Sequence, residues 1–359
     1  MRTLAAVSFQ PSSEPLRVSE MFRRFCHGKK AFTVADVTRR VLSPTLSLVA
    51  GPTPVERFSN DLFVKRDDRT NAHYGGNKVR KLERFFGAAR AEGKTRILTL
   101  GAAGSHQVVA TAILGAREGF TVEAVLVPQP WSAHAESNLR IALAHGLVPS
   151  AAPAWVLGAA LAEARRRGDV YFVPLGGSNP LGSLAYVDAA DELVDQIVQR
   201  VMPAPSSIVV ALGSGGTAAG LAAGLALRGL STKVVGVAVA DPAPALAAMA
   251  KRLAFRTARL AGASVRVAAR AAAKVSVTGA FVGRGYGHPT AEGTAAIEAA
   301  ASHGLVLDAT YTAKAFACAL ATKAPASPIL YWHTLAAPSN EEPIATLPPA
   351  LARLFRRPR

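Results

Sequence analysis

The chain has 359 residues, half of them apolar, with 41 Lys and Arg against 24 Asp and Glu and a formal net charge of +17 at pH 7. That length holds two domains or one large one, and the apolar content with a slightly positive mean hydropathy excludes a disordered chain. The basic excess permits nucleic-acid binding, yet the charge is spread rather than blocked and no zinc-finger, RNA-recognition or basic-zipper pattern occurs, so no nucleic-acid partner is expected.

No apolar run is long and clean enough to span a bilayer, because Gly, Arg or Glu break the Ala- and Leu-rich stretches; no membrane partner is expected. The apolar part of the N-terminus is too short for a secretory signal. Cys26 and Cys318 lie far apart without ligand spacing. That indicates neither a disulfide framework nor a metal site and fits a reducing cytoplasm.

Residues 1–50 show irregular periodicity and several prolines, and read as an N-terminal extension with one or two short helices. From Thr53 onward the pattern alternates. Strand-like runs fall at Leu62–Lys65, Arg96–Leu100, Val122–Val127, Val170–Val173, Ser207–Ala211, Lys233–Val239, Lys274–Val277 and Ile329–Trp332. Helical segments such as Val108–Glu118 and Ala133–His145 separate them. Buried strands alternating with helices predict an α/β fold with parallel sheets covered on both faces. Residues 86–182 are expected to form a small inserted domain, and 51–85 with 183–338 a larger one. The basic, proline-rich stretch 339–359 reads as a peripheral C-terminal tail.

Four stretches carry chemistry. In the first, Gly75-Gly76-Asn77-Lys78 opens a predicted helix whose apolar residues Val79, Leu82, Phe85 and Phe86 recur at helical spacing. The positive end of a helix dipole disfavours a cation, so an amine there is expected to have a lowered pKa, which Schiff-base chemistry needs. An ordinary lysine on an exposed first turn is the alternative.

The second, Gly101-Ala102-Ala103-Gly104-Ser105-His106-Gln107, follows a strand; Ser105 sits at a helix start, where a substrate carboxylate or a plain N-cap both fit. The third, Gly213-Ser214-Gly215-Gly216-Thr217, gathers N–H donors for a phosphate at a strand-to-helix turn. With Ala218 and a downstream Asp241 it also meets the loose dinucleotide pattern of a nicotinamide dehydrogenase. The fourth, Asp308-Ala309-Thr310-Tyr311-Thr312-Ala313-Lys314, is preceded by Gly285-Tyr286-Gly287 and is expected to follow a short strand at Leu305–Leu307.

Together these stretches resemble the pyridoxal-phosphate enzymes of fold type II. The nearest group is the 1-aminocyclopropane-1-carboxylate deaminase and D-cysteine desulfhydrase family. The resemblance runs from about Thr53 to Thr334 and is specific at Lys65-Arg66-Asp67-Asp68, Gly75 to Leu82, Gly213 to Thr217 and Tyr311-Thr312-x-Lys314. It implies two open twisted parallel-sheet domains, pyridoxal 5'-phosphate as cofactor, a small amino acid as substrate and a homodimer.

By that resemblance Lys78 forms the Schiff base and serves as base. Asn77, His106, Thr312 and the loop Gly213, Ser214, Gly215, Gly216 and Thr217 hold the cofactor. Ser105, Gln107 and Tyr286 bind substrate, with Tyr311 and Ser105 catalytic beside Lys78. The deaminase branch has glutamate at the Thr312 position, facing the pyridine nitrogen. A hydroxyl there leaves the ring neutral and favours β-elimination, giving a 2-oxo acid and ammonia, over cyclopropane opening.

The departures lie mainly on the substrate side. His106 stands where the family has asparagine, Ala313 replaces a glycine, and Leu335-Ala336 replaces a Gly-Gly after His333-Thr334. They leave open a catalytically drifted cofactor-binding homologue, and racemisation or deamination within the same chemistry.

Overall fold

A computed structural model describes residues 45–151, 162, 166–240, 242–322, 327–335 and 337–356. Cys26, Asp241 and most of the expected N-terminal extension lie outside the described residues.

The strands, in chain order, are β1 (Val55–Arg57), β2 (Leu62–Arg66), β3 (Arg96–Ala102), β4 (Thr121–Val127), β5 (Gln129–Pro130), β6 (Val148–Ala151), β7 (Val170–Val173), β8 (Ser207–Leu212), β9 (Lys233–Ala238), β10 (Val275–Thr278), β11 (Ile329–His333) and β12 (Phe355–Arg356). Among the described residues they form a six-stranded sheet in the order β1-β2-β11-β8-β9-β10, a four-stranded sheet β6-β4-β3-β7 and the pair β12-β5. Every neighbour in the two main sheets is parallel except β1 against β2. A parallel sheet needs crossovers, and helices supply them on both faces. That is why Ile208, Val209 and Val210 of β8 are all buried instead of alternating.

Eight of the nine expected strands are present within one or two residues. The expected strand at Leu305–Leu307 is not: this stretch has no regular structure. Leu305 and Leu307 instead bury their side chains under the six-stranded sheet with Phe316 and Tyr331.

The helix Asn77–Ala91 begins beside the six-stranded sheet, but its Val79, Leu82, Phe85 and Phe86 pack into the core of the four-stranded sheet with Ile97, Ile113 and Val122. Helix Pro180–Val198 makes the return crossing, burying Leu184, Val187 and Leu193 against the larger sheet. The expected divisions at 85/86 and 182/183 therefore fall inside two continuous helices.

The C-terminal segment is not peripheral. Leu351, Leu354 and Phe355 belong to the core of the small sheet, and β12 pairs with β5. Upstream, Gly75 N–H donates to the Ala337 carbonyl (3.0 Å) and Ser339 N–H to the His73 carbonyl (3.0 Å). Glu342, nearly buried, meets His145 Nε2 at 2.6 Å. Proline spacing hides these apolar residues from any periodic pattern, because only distant partners reveal their burial.

Candidate active site

The Gly75-Gly76 pair has two separate causes. A Cβ on Gly75 would lie 1.9 Å from the Asp68 carbonyl oxygen, and Gly76 adopts φ 96°, ψ −179°, a region essentially closed to other residues. The turn is held by Gly76 N–H to the Asp67 carbonyl (2.8 Å) and by Thr70 Oγ1 to the Gly76 carbonyl (3.0 Å). It sets Lys78 in the first turn of the helix, and its side chain lines a cavity of about 360 Å³. Burial drops its pKa to about 8, with Asp308 opposing the shift. Desolvation, not the helix dipole invoked from the sequence, is thus the main cause. Its amine has no hydrogen-bond partner among the described residues.

Across the same cavity lies the turn after β8. Gly215 adopts φ 79° and opens the helix Gly216–Leu227, whose first N–H groups are intrinsically unpaired. Asn77 Nδ2 donates to Thr217 Oγ1 at 3.1 Å, tying the lysine-bearing helix to this turn.

A second amine, Lys81, is buried one helical turn beyond Lys78. Its Nζ donates to the Gly176 carbonyl (3.0 Å) and lies 3.5 Å from Ser178 Oγ. Ser178 Oγ in turn accepts from Gly216 N–H (3.2 Å) and shares a hydrogen bond with Ser214 Oγ (2.7 Å). A Cβ on Gly216 would sit 2.5 Å from Ser178 Oγ and 3.1 Å from Lys81 Nζ, and one on Gly176 2.2 Å from Ser214 Oγ. Burial, then the neighbouring Lys78 charge, holds the Lys81 pKa well below its ordinary value. An anion placed here would relieve that penalty.

Ser105 is the N-cap of helix His106–Arg117, its Oγ accepting from Gln107 N–H at 3.2 Å, and it also lines the cavity. Gln107 is buried with Nε2 donating to Thr111 Oγ1 (3.0 Å), while its Oε1 has no partner. His106 sits between Tyr74 Oη at Nδ1 (2.9 Å) and exposed His134, the two Nε2 atoms 3.2 Å apart. Burial pushes its pKa down to about 4, with the Asp308 carboxylate working against that. Tyr311 donates its hydroxyl to Tyr286 Oη (2.8 Å), the rings edge to face, and both line the cavity.

Thus Lys78, Asn77, Ser105, His106, Gln107, Gly213 to Thr217, Tyr286 and Tyr311 face one cavity. Thr312 requires a correction. It is buried behind the wall, its Oγ1 donating to Asp308 Oδ2 at 2.7 Å. Asp308 accepts from the N–H groups of Thr310, Tyr311 and Thr312, and so claims the hydroxyl four residues on; Asp308 and Thr334 line the cavity instead.

Sequence reasoning assigned no role to Lys81, Ser178 or Asp308. Gly176-Gly177-Ser178-Asn179, another glycine-rich strand-to-helix loop with φ near +60° at both glycines, carried the same signal as the loop at Gly213.

An unpaired amine of low pKa and an anion cradle that any Cβ would fill together fit pyridoxal phosphate. A sequence profile described as "Pyridoxal-phosphate dependent enzyme" matches residues 46–334. The chain belongs to this family. It is 36% identical over 327 residues to the nocardicin C-9' epimerase of Nocardia uniformis, covering 86% of this chain and 97% of the relative. It is 33% identical over 326 residues to a D-cysteine desulfhydrase of Klebsiella pneumoniae, covering 82% and 95%. A solved 1-aminocyclopropane-1-carboxylate (ACC) deaminase homologue superposes with a TM-score of 0.72 at 28% identity, covering 84% of this chain and 95% of that one. Tomato threonine deaminase isoform 2, at 16% identity and TM-score 0.58, shares the fold. The chain is a pyridoxal-phosphate enzyme of the D-cysteine desulfhydrase and ACC deaminase group, with parallel-sheet architecture of fold type II. Among the described residues, no helix is long and apolar enough to cross a membrane.

Proposed function

We propose that this enzyme is a lyase that eliminates the β-substituent of a small amino acid, in the manner of a D-cysteine desulfhydrase, and releases a 2-oxo acid and ammonia. The observation that carries the reading is the unpaired Lys78 amine, with a pKa of about 8, sharing a cavity with the glycine turn. At neutral pH a fraction of that amine is neutral, as both covalent attachment and proton abstraction require. When bound, the cofactor supplies an aldehyde for amines and a sink for the electrons left at Cα.

In this reading Lys78 holds the cofactor and removes the α-proton. The N–H groups of Ser214, Gly215 and Thr217 with the Lys81 amine would hold the phosphate, and Asn77 braces Thr217. His106 would adjoin the cofactor at the position the family gives to asparagine, and Ser105 with Gln107 would receive the substrate carboxylate. Burial, then Tyr286, keeps the Tyr311 phenol protonated. Tyr311 donates to Tyr286, which leaves the Tyr286 proton for the departing group. The Cα–H and Cβ–substituent bonds break, a Cα–Cβ double bond forms, and water converts the released enamine to 2-oxo acid and ammonia.

The cavity volume, at the lower end for ligand sites, supports a small substrate beside the cofactor, and the desulfhydrase relatives support elimination. Thr312 no longer does, since its hydroxyl is spent on Asp308. We further propose that residues 51–85 and 183–338 act as the cofactor domain and 86–182 as the small one, in a cytoplasmic homodimer that sedimentation would reveal.

The test is a visible spectrum followed by a panel of D- and L-amino acids. The purified protein should be yellow, lose the band in Lys78→Ala and release 2-oxo acid from a β-substituted amino acid. A colourless protein that takes up no added cofactor ends the reading. A second reading, epimerisation at Cα, is favoured by the His106–His134 contact, which joins the cavity wall to solvent, and by the epimerase relative. It predicts solvent deuterium at Cα without 2-oxo acid.

A further inference from the structure

Of the Tyr311-Thr312-x-Lys314 stretch only Tyr311 lines the cavity, and Lys314, unlike Thr312, reaches into a neighbouring loop. It lies in the helix Thr312–Ala321, buried, and its Nζ donates to the carbonyls of Val282 (2.8 Å) and Gly285 (3.0 Å). Both carbonyls belong to the connection between β10 and the helix Ala291–Ala301.

That connection has little regular support of its own. Its turns are closed by long backbone bonds, Gly285 N–H to the Val282 carbonyl (3.2 Å) and His288 N–H to the Gly285 carbonyl (3.4 Å). Gly283, Gly285 and Gly287 all have positive φ, at 60°, 104° and 80°, so the segment carries three residues whose backbone is intrinsically permissive. At its crest Tyr286, 37% exposed, covers the cavity and meets Tyr311. Two ties therefore reach this loop from one helix end: the Tyr311 hydroxyl at the crest and the Lys314 amine beneath it.

We propose that Lys314 is a positioning residue that pins the Tyr286 loop over the cavity mouth, so that substrate capture depends on an amine that touches neither cofactor nor substrate. The substrate half of this proposal rests on the reading that the Tyr286–Tyr311 side receives the amino acid; the anchoring half does not.

Arg284, exposed in the same loop, provides a readout free of catalysis. Trypsin cleavage after Arg284 in the wild-type holoenzyme requires the loop to lift, and Lys314→Met removes the amine that bonds the Val282 and Gly285 carbonyls while keeping the side-chain volume. Two lost hydrogen bonds raise the open population, and the cleavage rate, about tenfold to thirtyfold. The fragment disappears when Arg284→Gln is added. The visible cofactor band and pyridoxal-phosphate affinity stay within about twofold of wild type, while KM for the amino acid found in the panel rises about tenfold. A protein inactive on every amino acid would refute the substrate reading while leaving the cleavage result to decide the anchoring.

Cleavage of Lys314→Met at the wild-type rate, or loss of the cofactor band in that variant, overturns the proposal. If Lys314→Met does not fold, Lys314→Gln, whose shorter neutral amide still donates, should be cleaved at an intermediate rate. Failure of both variants to fold also overturns it, because Lys314 would then support the core rather than the loop.

Discussion

Replacing Asp67 by alanine tests the buried network beneath the lysine helix. Asp67 is fully buried and accepts from Thr53 Oγ1 (3.0 Å), Arg80 Nε (3.1 Å) and Nη2 (2.9 Å), Tyr186 Oη (2.7 Å) and Trp332 Nε1 (2.7 Å). Truncation leaves Arg80, itself almost entirely buried, short of its main counter-charge. Breaking one side of such a pair costs about 3–5 kcal/mol. Glu192 remains on Arg80 Nη1 at 2.9 Å, which puts the expectation at the low end, about 3 kcal/mol or roughly a hundredfold in the folding equilibrium.

The pH dependence has a definite sign. Burial alone would raise the Asp67 pKa, but the Arg80 charge and hydrogen bonds outweigh it and the carboxyl ends below its ordinary value. A depressed folded pKa means that the contribution is complete above the unfolded value, near 3.9, and fades as pH falls through the folded one. Urea unfolding followed by circular dichroism should therefore show a constant Asp67→Ala deficit from pH 6 to 8 that shrinks on acidification below about pH 4. A deficit under about 1 kcal/mol at pH 7, or one unchanged in acid, would refute the argument.

Three further outcomes follow from the site and its strap. Lys81→Met should weaken pyridoxal-phosphate binding about 10- to 100-fold in an absorbance titration, the value of a charge-assisted contact, without shifting the urea midpoint downward. Amine labelling of Lys78 in the cofactor-free protein should rise with a midpoint near pH 8. Because the unfolded chain holds that proton up to about 10.5 and the native chain releases it near 8, this group makes stability increase with pH across that window; a labelling midpoint near 10.5 would contradict the burial assigned to it. Glu342→Ala should cost about 1–3 kcal/mol by leaving His145 and Arg117 without their carboxylate, and should expose the C-terminal segment to carboxypeptidase while the visible band persists.

Much of the molecule is written locally. The apolar runs from Leu62 to Trp332 specified the strands because burial on both faces leaves no alternation to confuse the pattern. The glycines at 75–76 and 215–216 marked the strand-to-helix turns because only glycine fits the backbone or the space there. Lys78 stood out at the first of those turns, while Ser105 and Tyr311 gained roles only from the family resemblance of the four stretches together.

What tertiary structure decided was the company each residue keeps. Lys81 meets Ser178 across 97 positions and His106 meets His134 across 28, so no window along the chain could join them. Asp308 captured the Thr312 hydroxyl by capping its own helix, a choice among competing partners that residue type cannot settle. The tail joined the small core because Leu351, Leu354 and Phe355 found apolar partners far away in sequence. Local sterics fix turns and strands; convergence of polar groups on one cavity depends on how whole sheets and helices pack, which is a property of the folded chain.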